Sequence, residues 1–385
     1  MKRIFDRIGK NINISRLSSD ICEIYGLGCY VGYKLIDVGC DDLSYYLLTE
    51  NAKYIVKIFN KYKSKEDFEN FVKIYELFIK NRVRTPKLIK NNTDDFVLSI
   101  IFEEINVNLC VLECIDGKDL YSLNKKITKE DIDKLVNLIV SIHRINAKYK
   151  IKYDNYSFIK LKENFEKNKS MLPKWLINDI SVFLECYNKI DFTRLPNCFI
   201  HTDLASTNII KDKKNKLYVI DYASAGSGIR ILDIVVCINR CIFDYTDIDY
   251  SLKMEKYFIE KYQKYIKLEE YELSILNILK KANAYACFIL EYVKFERNKT
   301  KENQYWYDTD LKIIQNTNIE ILHPGFNQSV IWPLLFESIH LNIKSSLSTA
   351  IWCSRRDSNP HGFPHDFESF KLFYTYLFLV LNIAF

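Results

Sequence analysis

The chain has 385 residues, 48% of them hydrophobic, enough to bury two lobes around a shared cleft. A formal charge of +6 is spread over lysines interleaved with acids, which excludes a dedicated nucleic-acid surface. Eleven cysteines form no Cys-x-x-Cys, Met1–Lys10 lacks a signal peptide's apolar run, and no segment reaches the length of a membrane span, so a cytoplasmic globular enzyme with free thiols is expected.

Gly26, Gly28 and Gly32 come first along the chain, but their spacing is one residue too long for a dinucleotide fingerprint and they precede a strand. Tyr33 to Val38 reads as that strand, Gly39 to Asp42 as a turn, and Leu43 to Leu48 as a second strand. Glu50 to Lys53 makes another turn before a third strand, Tyr54 to Phe59. Alternation in this strand places Lys57 on one face with Ile55 and Phe59. A lysine between apolar neighbours needs either an exposed edge or a partner for its charge. Ser64 then caps a helix whose apolar stripe is Phe68, Phe71, Val72, Tyr75, Phe78 and Ile79, with Glu69 and Glu76 together beside it. Thr85-Pro86 ends the link that follows, and Val111 to Gly117 reads as an apolar strand closing in a small glycine turn. Ser141-Ile142-His143-Arg144 ends a helix, and His143 there is structural.

Residues 199–221 carry the chemistry. Phe199-Ile200 lead into a loop holding His201, Asp203 and Asn208. Ile209-Ile210 and Leu217 to Ile220 flank a charged turn and end at Asp221. If the two short strands pair as a hairpin, Asn208 enters it where Asp221 leaves it. Two hard oxygen ligands then share one open end, with Asp203 close by. Phosphoryl transfer uses such a grouping: a carboxylate to orient and deprotonate the attacking hydroxyl, and two ligands for a magnesium ion on the phosphates. Further on, Gly226 and Gly228 lead into Ile231 to Val236, and Asp244, Asp247 and Asp249 form either a surface loop or a contact for a cationic substrate. Residues 251–314 read as helices with charged outer faces.

His-x-Asp-x-x-x-x-Asn at 201–208, followed by Ile220-Asp221-Tyr222, resembles the aminoglycoside phosphotransferase and choline-kinase-like family of small-molecule kinases. Thr202 in place of a protein kinase's arginine, and Ala223 in place of its Asp-Phe-Gly glycine, favour that branch. The resemblance implies an α+β, two-lobed protein-kinase-like fold. An antiparallel-sheet lobe would span residues 1–112, a connector 113–116, and a mainly helical lobe 117–316. It implies ATP or GTP as co-substrate with Mg2+, Asp203 as the catalytic base, and Asn208 and Asp221 as metal ligands. Lys57 would contact the phosphates, oriented by Glu69 (with Glu76 left open). Main-chain groups of Glu113 and Ile115 would meet the nucleobase, while His201 and Asp233 would support the catalytic loop. The acceptor would be a small hydroxylated molecule such as an aminoglycoside, an amino alcohol, homoserine or a sugar, with no nucleic acid and no membrane as partner. A catalytically idle binding module and a protein kinase are the competing readings.

Residues 317–385 differ in character. Pro324, Pro333, Pro360 and Pro364 fall there, and Arg355 to Asp366 has no periodicity. Leu372 to Phe385 is apolar but short, and Pro364 between His361 and His365 argues against a helical metal pair. This tail is expected to lie outside the evolved domain.

Overall fold

A computed structural model describes residues 2–36, 42–297 and 301–318, all within one compact unit. Two amino-terminal helices, α1 (Lys2–Ile8) and α2 (Ile14–Ile24), come before the first strand. The sequence reading did not foresee them. Their signal is present: Asn13 accepts the Arg16 N–H as a cap, and Ile14, Leu17, Ile21 and Cys22 repeat at helical spacing.

The strands β1 (Tyr30–Leu35), β2 (Leu43–Thr49) and β3 (Lys53–Ile58) follow, then helix α3 (Lys65–Lys80). After it come β4 (Leu88–Ile89), β5 (Val97–Phe102) and β6 (Ile105–Glu113). The sheet runs β1-β2-β3-β6-β4 with β5 also pairing β6, and every pair is antiparallel. Alternation divides its two faces. Leu43, Tyr45, Leu47, Val56 and Ile58 pack with α1 and α2. Ile55 and Phe59 face the other way, into the cluster that contains α3. The first strand begins and ends earlier than the sequence suggested, and the expected turn at Gly39 to Asp41 lies outside the described residues. Helix α3 starts where expected: Ser64 and Asp67 form a reciprocal capping box, and Phe68, Phe71, Ile74, Tyr75 and Phe78 are buried. Ile79, assigned to the stripe from spacing, is exposed.

The carboxy-terminal half begins with β7 (Gly117–Asp119), α4 (Leu120–Leu123) and α5 (Lys129–His143). Then come α6 (Leu161–Asn168), α7 (Lys174–Tyr187), β8 (Asn197–Ile200), β9 (Ile209–Asp212), β10 (Leu217–Val219) and β11 (Gly226–Ile229). Helices α8 (Ile231–Cys237), α9 (Ile248–Gln263), α10 (Glu270–Arg297) and α11 (Lys301–Asn316) complete the described chain. Strands order as β10-β9-β7, and β11 pairs β8. Gly117 is needed where β7 meets β9, since a Cβ there would sit 2.3 Å from the Lys211 carbonyl oxygen.

Helix α10 corrects one expectation. It is long and apolar enough by length and composition to cross a bilayer, yet 67% of its apolar window is buried inside the fold. It packs on α6, α7, α8 and α11, so burial in protein accounts for its apolarity. The atypical tail, including Arg355 to Asp366, the His361/His365 pair and Leu372 to Phe385, lies outside the described residues.

Candidate active site

The hairpin expected around residues 209–220 forms. Leu217 faces Lys211, Tyr218 faces Ile210 and Val219 faces Ile209, and the Ile220 N–H donates to the Asn208 carbonyl at 2.9 Å. Asn208 and Asp221 therefore stand side by side at its open end. The hairpin is anchored beneath α3 through Val219 N–H to Arg84 O (2.9 Å) and through Tyr222, whose ring stacks on Phe71 at 5.0 Å.

The loop before the hairpin is held from below. Asp233, fully buried on α8, accepts the His201 and Thr202 N–H groups, each at 2.8 Å, and lies 3.2 Å from His143 Nε2. His143 Nδ1 is 2.7 Å from the Tyr262 hydroxyl. Two charge-assisted bonds thus hold Thr202 at φ 80°, a conformation that a β-branched residue rarely adopts. Burial lowers the His201 pKa, which keeps its ring neutral. The ring's Nε2–H donates to Ile220 O at 3.1 Å and its Nδ1 accepts the Asp203 N–H at 3.3 Å. One histidine therefore joins the 201–208 loop to the strand end that carries Asp221.

Asn208 Nδ2 donates to the Asp203 carbonyl (3.1 Å) and to Asp203 Oδ2 (2.7 Å). With its amide hydrogens so used, its Oδ1 is turned away from Asp203. Burial pushes the Asp203 carboxyl up to about 7, helped by the negative charges of Asp154 and Asp221 and partly offset by the Asn208 amide. Asp221 moves the other way: the Lys57 ammonium holds its carboxyl below the ordinary range, although its side chain is 56% exposed. Two neighbouring carboxyl groups are thus driven apart, one able to titrate near neutrality and the other held ionised. Asp221 adopts φ 61°, in the left-handed region.

Lys57 Nζ lies 3.2 Å from Asp221 Oδ1 and 3.2 Å from Asp42 Oδ2. Burial disfavours its charge, but the two carboxylates outweigh that and raise its pKa. Glu69 is not its partner. It is 51% exposed and lies within ion-pair distance of Lys65 (3.9 Å) and Lys73 (4.0 Å). The reason is helical phase: Glu69 and Glu76 sit on the side of α3 opposite its buried stripe. The face that α3 turns to Lys57 is aromatic, with the Phe71 ring 5.5 Å from Nζ.

In the connector, the Glu113 N–H donates to Lys87 O at 2.9 Å, so it is not available to a nucleobase. The Ile115 carbonyl accepts Gly117 N–H at 2.9 Å, so that carbonyl is engaged within the connector's own turn. Asp244 and Asp247 have turn and cap duties, accepting the Thr246 and Tyr250 N–H groups, and Asp247 also pairs with Lys126.

Spacing could not reveal two further neighbours of Asp203, because they come from distant segments. Asp154 accepts the Tyr156 and Ser157 N–H groups, both at 2.9 Å. Arg240 pairs with the buried Asp310 at 2.8 Å and lies 5.2 Å over the Trp306 ring. Trp306 stacks on Tyr121 at 5.1 Å, beside an open depression of ≈ 530 Å³ lined by Tyr121, Tyr245, Tyr305, Gln304 and Asp308.

Asn208 Oδ1 and the Asp221 carboxylate are hard oxygen donors side by side, a set suited to a magnesium ion completed by phosphate and water oxygens. A family model described as the phosphotransferase enzyme family matches residues 32–265. The chain belongs to that family. A homoserine kinase from Zymomonas mobilis is 20% identical over 66% of this chain and 78% of its own. Among solved structures, a spectinomycin phosphotransferase in complex with ADP and spectinomycin covers 80% of this chain and 99% of its own at 13% identity, with a TM-score of 0.57. A microcompartment-associated aminopropanol kinase covers 78% and 95% at 12% identity, with a TM-score of 0.56. The two structures share the protein-kinase-like fold, and the chain is a small-molecule kinase by class.

Proposed function

We propose that this phosphotransferase moves the γ-phosphoryl group of ATP to a hydroxyl of an amine-bearing small molecule, with Asp203 as the base. The observation that carries the reading is the Asp203 carboxylate itself. One of its oxygens is tied to Asn208, the other is left for an acceptor hydroxyl, and its pKa lies near neutrality. In this scheme Asp203 orients the acceptor O–H and takes its proton as the oxygen attacks the γ-phosphorus. The bond from that phosphorus to the β–γ bridging oxygen breaks, and ADP leaves. Lys57 binds oxygens of the phosphate chain. Asn208 Oδ1 and Asp221 would hold a magnesium ion, which neutralises charge on the β- and γ-phosphates. The protein contributes chiefly position and fixed charge. The Ile115 N–H would meet the nucleobase.

The acceptor class rests on two supports. Homoserine, spectinomycin and aminopropanol, named in the similar proteins, all carry an amine and a hydroxyl. The depression beside Trp306 offers aromatic faces and the Asp308 carboxylate, a lining that suits an ammonium group. The test is to incubate the purified chain with magnesium and ATP, then with GTP, against homoserine, amino alcohols, choline, aminoglycosides and simple sugars. Mass spectrometry would read the product. A phosphorylated amino alcohol, amino acid or aminoglycoside is expected. Nucleotide binding without transfer to any acceptor would favour an idle binding module instead.

A further inference from the structure

Lys57 lies between two carboxylates that differ in surroundings. Asp221 opens to the cleft and, in the proposed function, turns to a metal ion. Asp42 does not open to it, since its side chain is only 4% exposed. Its Oδ1 accepts the Asn60 N–H at 2.9 Å, and its Oδ2 takes both Lys57 (3.2 Å) and Lys63 (2.7 Å). Arg7 on α1 donates to the Asp42 carbonyl at 2.6 Å. Sheet register explains the reach. Ser44 lies directly opposite Lys57, and Asp42, two residues earlier, continues the same face of β2 as the diagonal neighbour of Lys57. On the other side of the lysine, α3 presents Phe71 and no carboxylate.

We infer that Asp42 is the residue that positions Lys57 for the nucleotide phosphates, a role that Glu69 cannot fill from the outer face of α3. A lysine held only by Asp221 would lose its partner when that carboxylate takes up a metal. Asp42, buried and fixed by a main-chain N–H, keeps Lys57 extended through that exchange. The inference rests on the reading of Lys57 as a phosphate contact.

The test is a thermodynamic cycle on Mg-ATP affinity by calorimetry, with Lys57→Met, Asp42→Asn and the double variant, and Glu69→Gln alongside. Asp42→Asn keeps the acceptor for Asn60 but removes the charge. It is expected to weaken Mg-ATP binding by about tenfold in the wild-type background, a coupling typical of contacting charges, and to change little once Lys57 is methionine. An equal loss in both backgrounds would show a merely structural role and overturn the inference. So would a loss in Glu69→Gln with none in Asp42→Asn. If Asp42→Asn does not fold, Asp42→Glu enters the same cycle, with a loss expected only where Lys57 is present. Unchanged binding in Lys57→Met alone would instead refute the phosphate-contact reading, whatever Asp42 does.

Discussion

Asp203 can accept a proton only when it is ionised, so its raised pKa sets a direction for the pH dependence. Below about 7 the carboxyl holds its own proton and transfer is lost, and above that value the rate reaches a plateau. Part of the rise comes from the negative charge of Asp221. Once that charge faces a bound metal and nucleotide, the titration should move to lower pH. The profile of kcat/KM for the nucleotide, which reports the free enzyme, is therefore expected to lie at higher pH than the profile of kcat. Coincident profiles would show that Asp221 does not act on Asp203. Asp221→Asn should weaken nucleotide binding and transfer together, because it removes the charge of the carboxylate proposed to hold the metal and one of the two anions beside Lys57. A variant that binds Mg-ATP as tightly as the wild type would reject that assignment. The short motif at 201–208 exposed these positions because the residues lie on one continuous loop and hairpin. Asp154, Arg240 and Asp42 escaped because they reach the same place through tertiary packing and sheet register, which spacing along the chain does not encode.

Helix α3 shows how an element can be read correctly and a side chain on it misjudged. Its start was legible from Ser64 and Asp67, which satisfy each other's N–H groups in the capping box. Ser64→Ala should cost about 0.5–2 kcal/mol of stability in denaturant unfolding, the usual range for a lost N-cap. No change would mean that the cap contributes nothing to the fold. The partner of Lys57, by contrast, needed phase as well as position. Glu69 lies at a suitable distance along the chain but about half a turn round the helix from Phe71. In the carboxy-terminal half, Gly117 marks another limit on substitution. A Cβ at that position would overlap the Lys211 carbonyl, so Gly117→Val should force β7 and β9 apart and cost on the order of 1–3 kcal/mol. A melting temperature equal to that of the wild type would show that the two strands can separate without loss.

At the scale of the molecule, the aromatic seam from Phe71 and Phe78 to Tyr222 and Phe199 joins α3 to the loops that carry Asp203 and Asp221. The three strands before α3, the hairpin at 209–220 and the long carboxy-terminal helices could be anticipated from alternation and periodicity, whereas β4, β5 and the order of the sheet could not. The amino-terminal helices were passed over, although Asn13 and the Ile14–Cys22 stripe announce them. The burial of α10 could not be seen from its apolarity alone, because a core helix and a membrane span have similar compositions. Binding of a metal–nucleotide complex beside Lys57 and Asp221 should stabilise the whole unit by about 2.7 kcal/mol at a ligand concentration of a hundred times Kd. Chelating the metal should remove most of that gain, and an equal shift in melting temperature with and without magnesium would contradict a metal role for Asn208 and Asp221. The central claim, that Asp203 is the base of a small-molecule kinase, is tested most directly by Asp203→Asn. Its transfer of labelled γ-phosphate to the best acceptor and its affinity for Mg-ATP would be measured on the same preparation. The account predicts affinity within a few-fold of the wild type and a transfer rate lower by a factor on the order of 10²–10⁴. Transfer at an undiminished rate would contradict it.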